Sequence, residues 1–136
     1  MAVDTSLVGR AFPPTEPYTV TREKVVEFAA ATGAELDGDT APATFPIVVA
    51  FAAMTGLMEH PDVGIELHRV VHGDQRFTYT RPVVVGDRLS ATLTVDSLRQ
   101  IGGADIIATR SEITDEQGEP VCTAFATLVH RAEEPV

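Results

Sequence analysis

The chain predicts an α+β fold, a curved antiparallel sheet wrapped around one long central helix, on three observations. A single stretch, Phe45 to Met58, carries apolar residues at helical spacing on nearly every face. After Gly64 the pattern changes to a period of two, as at Gln75, Phe77 and Tyr79. Gly102-Gly103 sits between two such runs and marks a tight hairpin. A helix that is apolar all round needs cover on all sides, and a sheet that curls supplies it.

The elements follow in order. Residues 1–20 predict an extended arm, because Pro13, Pro14 and Pro17 hold Phe12 to Tyr18 out of helical conformation. Thr21 is a candidate N-cap, and Val25, Val26, Phe28 and Ala29 give a helical stripe over about Arg22 to Ala31. Gly33 is the expected stop, and the acidic, glycine-bearing stretch 33–43 is a loop. The central helix opens at Ala43 or Thr44, with Thr44 as N-cap, and ends at His60-Pro61. Gln75, Phe77 and Tyr79 alternate with Arg76, Thr78 and Thr80 in a first long strand. Pro82 and Val85-Gly86-Asp87 turn the chain into a second, where Leu89, Ala91, Leu93 and Val95 alternate with polar residues. After the hairpin comes a strand over Ile106 to Ile113, a turn at Glu116-Gln117-Gly118 and a last strand over Val121 to Val129. Residues 132–136 form a polar tail, and the expectation is one domain over residues 1–136.

Composition narrows the function classes. A chain of 136 residues with 44% hydrophobic residues can bury a core without staples. Its net charge of −10 argues against nucleic acid and against anionic membrane surfaces. The single cysteine, Cys122, forms no internal disulfide and fits a reducing cytoplasm; it reads as a buried small residue. The four histidines, His60, His68, His72 and His130, show no metal-ligand spacing, so no metal and no cofactor is expected. The apolar stretch is too short to span a bilayer, and the first ten residues lack the features of a signal peptide.

Two segments carry a resemblance. The run Phe28-Ala29-Ala30-Ala31-Thr32-Gly33-Ala34-Glu35-Leu36-Asp37-Gly38-Asp39 is similar to the motif of MaoC-like enoyl hydratases and 3-hydroxyacyl dehydratases. That motif reads roughly as a small residue, Ser or Thr, Gly, Asp, any residue, Asn, Pro, Ile, His. The run from Val71-His72-Gly73-Asp74 through Arg81-Pro82 to Gly86-Asp87-Arg88-Leu89 resembles the signature of the MaoC-like dehydratase N-terminal family. It is similar in particular to small actinobacterial proteins related to accessory subunits of 3-hydroxyacyl dehydratases. Val8-Gly9-Arg10, Arg22-Glu23-Lys24-Val25 and the close at Val121 to Arg131 extend the likeness over nearly the whole chain. Read from its own residues, the Arg81-Pro82 to Gly86-Asp87 run builds a turn.

The resemblance implies a hot-dog fold and an acyl thioester ligand, carried on coenzyme A or an acyl carrier protein. It also exposes a departure. Ala31, Thr32 and Gly33 keep the frame, but the position of the family's Asp holds Ala34 and that of its His holds Asp39. Leu36 and Asp37 stand at the Asn and Pro positions. Hydration of an enoyl thioester needs a base for the water, an acid for C2, and donors for the thioester oxygen. The first two are missing. The family's oxygen-binding N–H corresponds to that of Ala43, in Ala41-Pro42-Ala43-Thr44. The connection Asp39-Thr40-Ala41-Pro42 is also shorter than the family's.

Weak replacements for the dyad are Asp37 and Asp39, as crowded carboxylates, and His72, although solvated loop acids and a strand-end histidine are the readier readings. Glu35 and Glu59 are the candidates for a thioesterase-type acid. For acyl binding the candidates are Ala43, Thr44, Phe45, Phe51 and Met54, with Met58, although ordinary core packing is the readier explanation of the last four. Three readings stay open: a non-catalytic subunit paired with a dyad-bearing hot-dog homologue, an active hydratase or thioesterase with unconventional residues, and a homodimeric acyl-thioester binding module. An acidic carrier would need a basic patch, for which Arg69, Arg76, Arg81 and Arg88 are available.

Overall fold

The structure is a computed structural model that describes residues 5–60 and 63–131. The polar tail, the start of the arm and the Pro61 helix stop lie outside the described residues. Two helices, α1 (Arg22–Thr32) and α2 (Ile47–Glu59), precede the long strands β2 (Val70–Tyr79), β3 (Arg88–Ile101), β4 (Ala104–Thr114) and β5 (Pro120–Arg131). A two-residue strand, β1 (Tyr18–Thr19), completes one antiparallel sheet of order β1-β3-β4-β5-β2.

The local rules explain α1. Thr21 is extended at φ −96°, ψ 152°, and its Oγ1 accepts from the Lys24 N–H at 3.2 Å. Gly33, at φ 74°, ends the helix, and the Ala34 N–H returns to the Ala29 carbonyl at 3.0 Å.

The start of α2 differs from the expectation. Thr44 is not its N-cap. Residues 43–46 make a tight turn, with the Phe45 N–H on Pro42 and the Ile47 N–H on Thr44, and Pro46 takes the cap position without a side-chain hydrogen bond. Two prolines explain the delay, since neither Pro42 nor Pro46 has an N–H for a helical ladder and Pro46 tolerates only the helix entrance. Nor is α2 covered all round. Val49, Ala50, Ala53, Met54, Leu57 and Met58 are buried against the sheet, but Phe51 is 51% exposed and Ala52 and Gly56 face outward. The sheet wraps only one side, and α1 and the arm leave part of the other uncovered.

The arm is mostly extended but opens on a 3-10 turn at Thr5–Leu7. It then lies along the outer edge of β3. Gly9, Phe12 and Thr15 donate to the carbonyls of Val95, Leu93 and Ala91 at 2.8, 2.9 and 3.0 Å. That edge of the sheet is therefore satisfied. The opposite edge, β2, offers ten residues with no strand beside them among the described residues.

Register sets which residues face inward. Leu89, Ala91, Leu93 and Val95 of β3, Ile107 and Ile113 of β4, and Ala124, Ala126 and Leu128 of β5 are buried in one core. Four polar residues share that inner face: Asp105, Thr109, Ser111 and His130. Among the described residues, no helix is long and apolar enough to cross a membrane, and no three metal-ligating side chains cluster.

Candidate functional site

A groove of about 970 Å³ lies between the end of α1, the turn into α2 and the inner face of β2. Strand register puts its β2 wall there. Gln75, Phe77 and Tyr79 stand opposite Ala126, Ala124 and Cys122, whose side chains are buried inward. A bulge between His72 and Asp74 shifts the pleat, so His72 joins the same face although it lies three residues from Gln75. The His72 Nε2 is 2.9 Å from the Gln75 Oε1. The Gln75 amide nitrogen donates to the Arg76 carbonyl, so the imidazole Nε2–H is the donor to Oε1.

Tyr79 joins β2 to the turn. Its hydroxyl donates to the Ala43 carbonyl. Burial pushes the phenol up to about 12, with a smaller push from Cys122, so it remains a protonated donor across the physiological range. Burial likewise pushes the Cys122 thiol up to about 11, which leaves it inert as a nucleophile. The N–H groups of Ala43 and Thr44, both lining the groove, make no hydrogen bond among the described residues. They are the donors available to a ligand oxygen.

The sequence candidates divide. His72, Ala43 and Thr44 line the groove together, with Phe28, Thr32 and Ile47 opposite. Asp37 and Asp39 do not line it. Asp39 is exposed and ion-paired to Arg22, and its carbonyl accepts from the Val85 N–H at 2.9 Å. Asp37 caps a tight turn, its carbonyl accepting from Thr40 at 3.0 Å. Ala34 follows the end of α1 with only a methyl group to offer. Glu35 is exposed in the same loop, and Glu59 is exposed at the far end of α2. Phe45 and Met54 are packed in the core, at 0% and 1% exposure, and Phe51 projects outward. Gln75, Phe77 and Tyr79, like Asp74 and Ile47, are groove residues that the sequence did not single out as site candidates. Their alternation was visible, but alternation does not say which face is inside.

Three of the four arginines are engaged by carboxylates, and Arg88 is exposed at the start of β3. Arg69 pairs with Glu66 at 2.6 Å, and Arg76 lies 3.8 Å from Asp74 while stacking on Phe125. Arg81 forks onto Asp87 at 2.9 and 3.1 Å and reaches Asp115 at 3.5 Å.

Comparison with known proteins agrees with this arrangement. A family model for the FAS1-like dehydratase domain region matches residues 6–124. A UPF0336 protein of Streptomyces coelicolor is 46% identical over 148 aligned positions, which take in 98% of this chain and 99% of that protein. Those 148 positions exceed the 136 residues present, so the relative carries internal residues that this chain lacks. Among solved structures, a chain of the HadBC (3R-hydroxyacyl-ACP dehydratase) complex of Mycobacterium tuberculosis superposes with a TM-score of 0.79 at 32% identity. The match covers 90% of this chain and 96% of that one. A MaoC-like dehydratase gives 0.77 at 30% identity, with 93% of this chain spanning 43% of that larger chain. The chain thus belongs to the FAS1-like dehydratase region family and has the MaoC-like hot-dog fold.

Proposed function

We propose that this chain is a non-catalytic, acyl-binding subunit that pairs with a dyad-bearing hot-dog homologue to form a 3-hydroxyacyl or enoyl-thioester dehydratase. The observation that carries the proposal is the fate of the two motif positions. One holds Ala34, and the other holds Asp39, which is turned to Arg22 outside the groove. In hydration, water oxygen adds to C3 while a proton is delivered to C2, and no carboxylate–histidine pair stands at the two motif positions; the groove's own carboxylate, Asp74, is turned by the bulge to the face opposite His72 and lies 3.8 Å from Arg76. The groove keeps the other half of the site, the unpartnered N–H groups of Ala43 and Thr44, suited to a thioester oxygen as negative charge develops on it.

The open β2 edge supports pairing. The outer edge of this ten-residue strand, with no strand beside it among the described residues, suits a second curled sheet, which would extend this one and close the groove. The match to a chain of a two-protein dehydratase complex points the same way. The thioester carrier is coenzyme A or an acyl carrier protein, the cell compartment is the cytoplasm, and the reading needs no cofactor. The partner is expected to co-purify when a dyad-bearing hot-dog chain is co-expressed. A monodisperse homodimer that ignores such chains would favour the homodimeric binding module instead.

A second reading has one observation in its favour. His72 stands in the groove with its Nε2 held by Gln75, an imidazole within reach of a ligand, which is what a hydratase acting through this chain would use. His72→Ala separates the two. On the subunit reading, turnover by the assembled complex changes by less than about threefold, since a positioned acid or base is worth roughly 10²–10⁴. A hundred-fold loss of kcat would transfer the chemistry to this chain. The thioesterase form of the reading has no support in the positions of Glu35 and Glu59.

A further inference from the structure

The turn into α2 depends on one side chain for a hydrogen bond that its own backbone cannot make. Its carbonyls pair at a spacing of three. Pro42 accepts from the Phe45 N–H at 2.9 Å, Thr44 from the Ile47 N–H at 3.1 Å, and Phe45 from the Val48 N–H at 3.0 Å. At that spacing the Ala43 carbonyl would meet the N–H of residue 46, and residue 46 is a proline, which has none. No backbone donor reaches the Ala43 carbonyl among the described residues, and the Tyr79 hydroxyl donates to it instead.

The Ala43 carbonyl and the Thr44 N–H belong to one planar peptide unit and point in opposite directions. Fixing the first therefore fixes the second. We infer that Tyr79 is a positioning residue for the thioester oxygen: its hydroxyl holds the Ala43–Thr44 peptide in the orientation that presents the Thr44 N–H, beside that of Ala43, to the ligand. The inference rests on the acyl-binding reading above and adds the side chain that sets up its oxygen site.

Three features support it. Ala43 and Thr44 are both exposed, so packing does little to hold their peptide, and half a rotation would turn the Ala43 carbonyl toward the ligand. Two acceptors would then face each other. Tyr79, by contrast, is well anchored. It stands opposite Cys122 in the β2–β5 ladder, and the next two N–H groups, of Thr80 and Arg81, both donate to the Val121 carbonyl at 2.9 and 3.2 Å. Its ring packs 6.4 Å from that of Phe77. Finally, a hydrogen bond to a carbonyl polarises its peptide, which makes the N–H on the other side a stronger donor. The contact also lies where a ligand passes, since Tyr79 and Ala43 line both the groove and an adjoining cavity of about 410 Å³.

Tyr79→Phe tests the inference, because it removes the hydroxyl and keeps the ring. Ala43 is exposed, so water can take the freed carbonyl and the urea midpoint should stay near that of the wild type. Two probes would be titrated calorimetrically into the wild type and the variant, each alone and with the dyad-bearing partner. One is octanoyl-pantetheine; the other is the S-octyl thioether, which has a methylene in place of the carbonyl. The wild type should prefer the thioester by at least about tenfold. Tyr79→Phe should reduce that preference to below about threefold and leave thioether affinity unchanged. The infrared stretch of a carbon-13 thioester carbonyl should fall in frequency on binding the wild type, and fall less on binding the variant. A preference and a frequency shift retained in full by Tyr79→Phe would overturn the role of Tyr79 and leave the acyl-binding reading standing. Equal weakening of both probes would also overturn it, since a merely structural hydroxyl does not single out the carbonyl. A wild type that fails to distinguish the probes in any assembly would overturn the oxygen site itself, and with it the acyl-binding reading.

Discussion

Replacing His130 with alanine is expected to destabilise the fold by about 3 kcal/mol or more. The imidazole is 2% exposed and sits on the inner face of β5. Its Nε2 accepts from the Glu66 N–H at 3.1 Å, so the proton is on Nδ1, which donates to the Asp105 carboxylate at 3.1 Å. Asp105, also 2% exposed, accepts in addition from the Gln100 amide at 3.0 Å. Alanine would strip a buried carboxylate of a charge-assisted donor, orphan the Glu66 N–H and leave a ring-sized void at the end of the sheet. Urea unfolding should show a lower midpoint at an unchanged slope. The pair does not line the groove, so acyl affinity measured on folded protein should not move. A loss below about 1 kcal/mol would mean that water or Gln100 replaces the ring at little cost.

Arg81→Ala is expected to cost about 2 kcal/mol. The fork to Asp87 is bidentate, and both Asp87 and Asp115 are largely shielded, with side chains 12% and 15% exposed. Asp87 also accepts from the Val84 N–H at 2.9 Å, so one carboxylate ties the arginine to the turn between β2 and β3. That turn in turn holds the motif loop, through Val85 N–H to Asp39 and Ala41 N–H to Val83. Loss of Arg81 should therefore loosen the approach to Ala43 as well as lower the urea midpoint.

The same cluster gives a pH dependence. The Asp115 carboxyl lies below its ordinary 3.8, held there first by the Glu119 N–H, then by the Gln117 N–H and Arg81, against an opposing effect of burial. A folded-state value below the unfolded one means that the unfolded chain binds more protons in acid. The stabilisation is then present above about pH 4 and is lost as pH falls through and below that value. Comparing urea midpoints at pH 6 and pH 3 checks the sign. Arg81→Ala should shrink the drop without abolishing it, because the two backbone donors remain.

Much of this architecture was legible because it depends on periodicity. The strands after Gln75, the hairpin at Gly102-Gly103 and helix α1 with its Thr21 and Gly33 caps all follow from local spacing. The entrance to α2 was not, since Thr44 fits an N-cap by residue type while the spacing of Pro42 and Pro46 delays the helix to Ile47. The outward side of α2 was also misread. An apolar residue such as Phe51 or Ala52 looks the same in a sequence whether a sheet, a ligand or a partner covers it. The run Arg81 to Asp87 was read as a turn, and it is one; the reach of Arg81 to Asp115 is a long-range contact that no local pattern announces. His130 and Asp105, far apart in sequence, were invisible as a pair for the same reason. At the site, the expectation that Ala34 and Asp39 stand at the family's Asp and His positions came from the sequence resemblance alone. That Gln75, Phe77 and Tyr79 face the groove required the register of β2 against β5.

The most direct test of the central claim is hydration of a trans-2-enoyl thioester by the purified chain alone, by a dyad-bearing hot-dog homologue alone and by the two together. The subunit account predicts no turnover by this chain alone and a rise of at least about tenfold in kcat/KM when it joins the homologue. Turnover by the isolated chain at a rate comparable to the homologue's would contradict it.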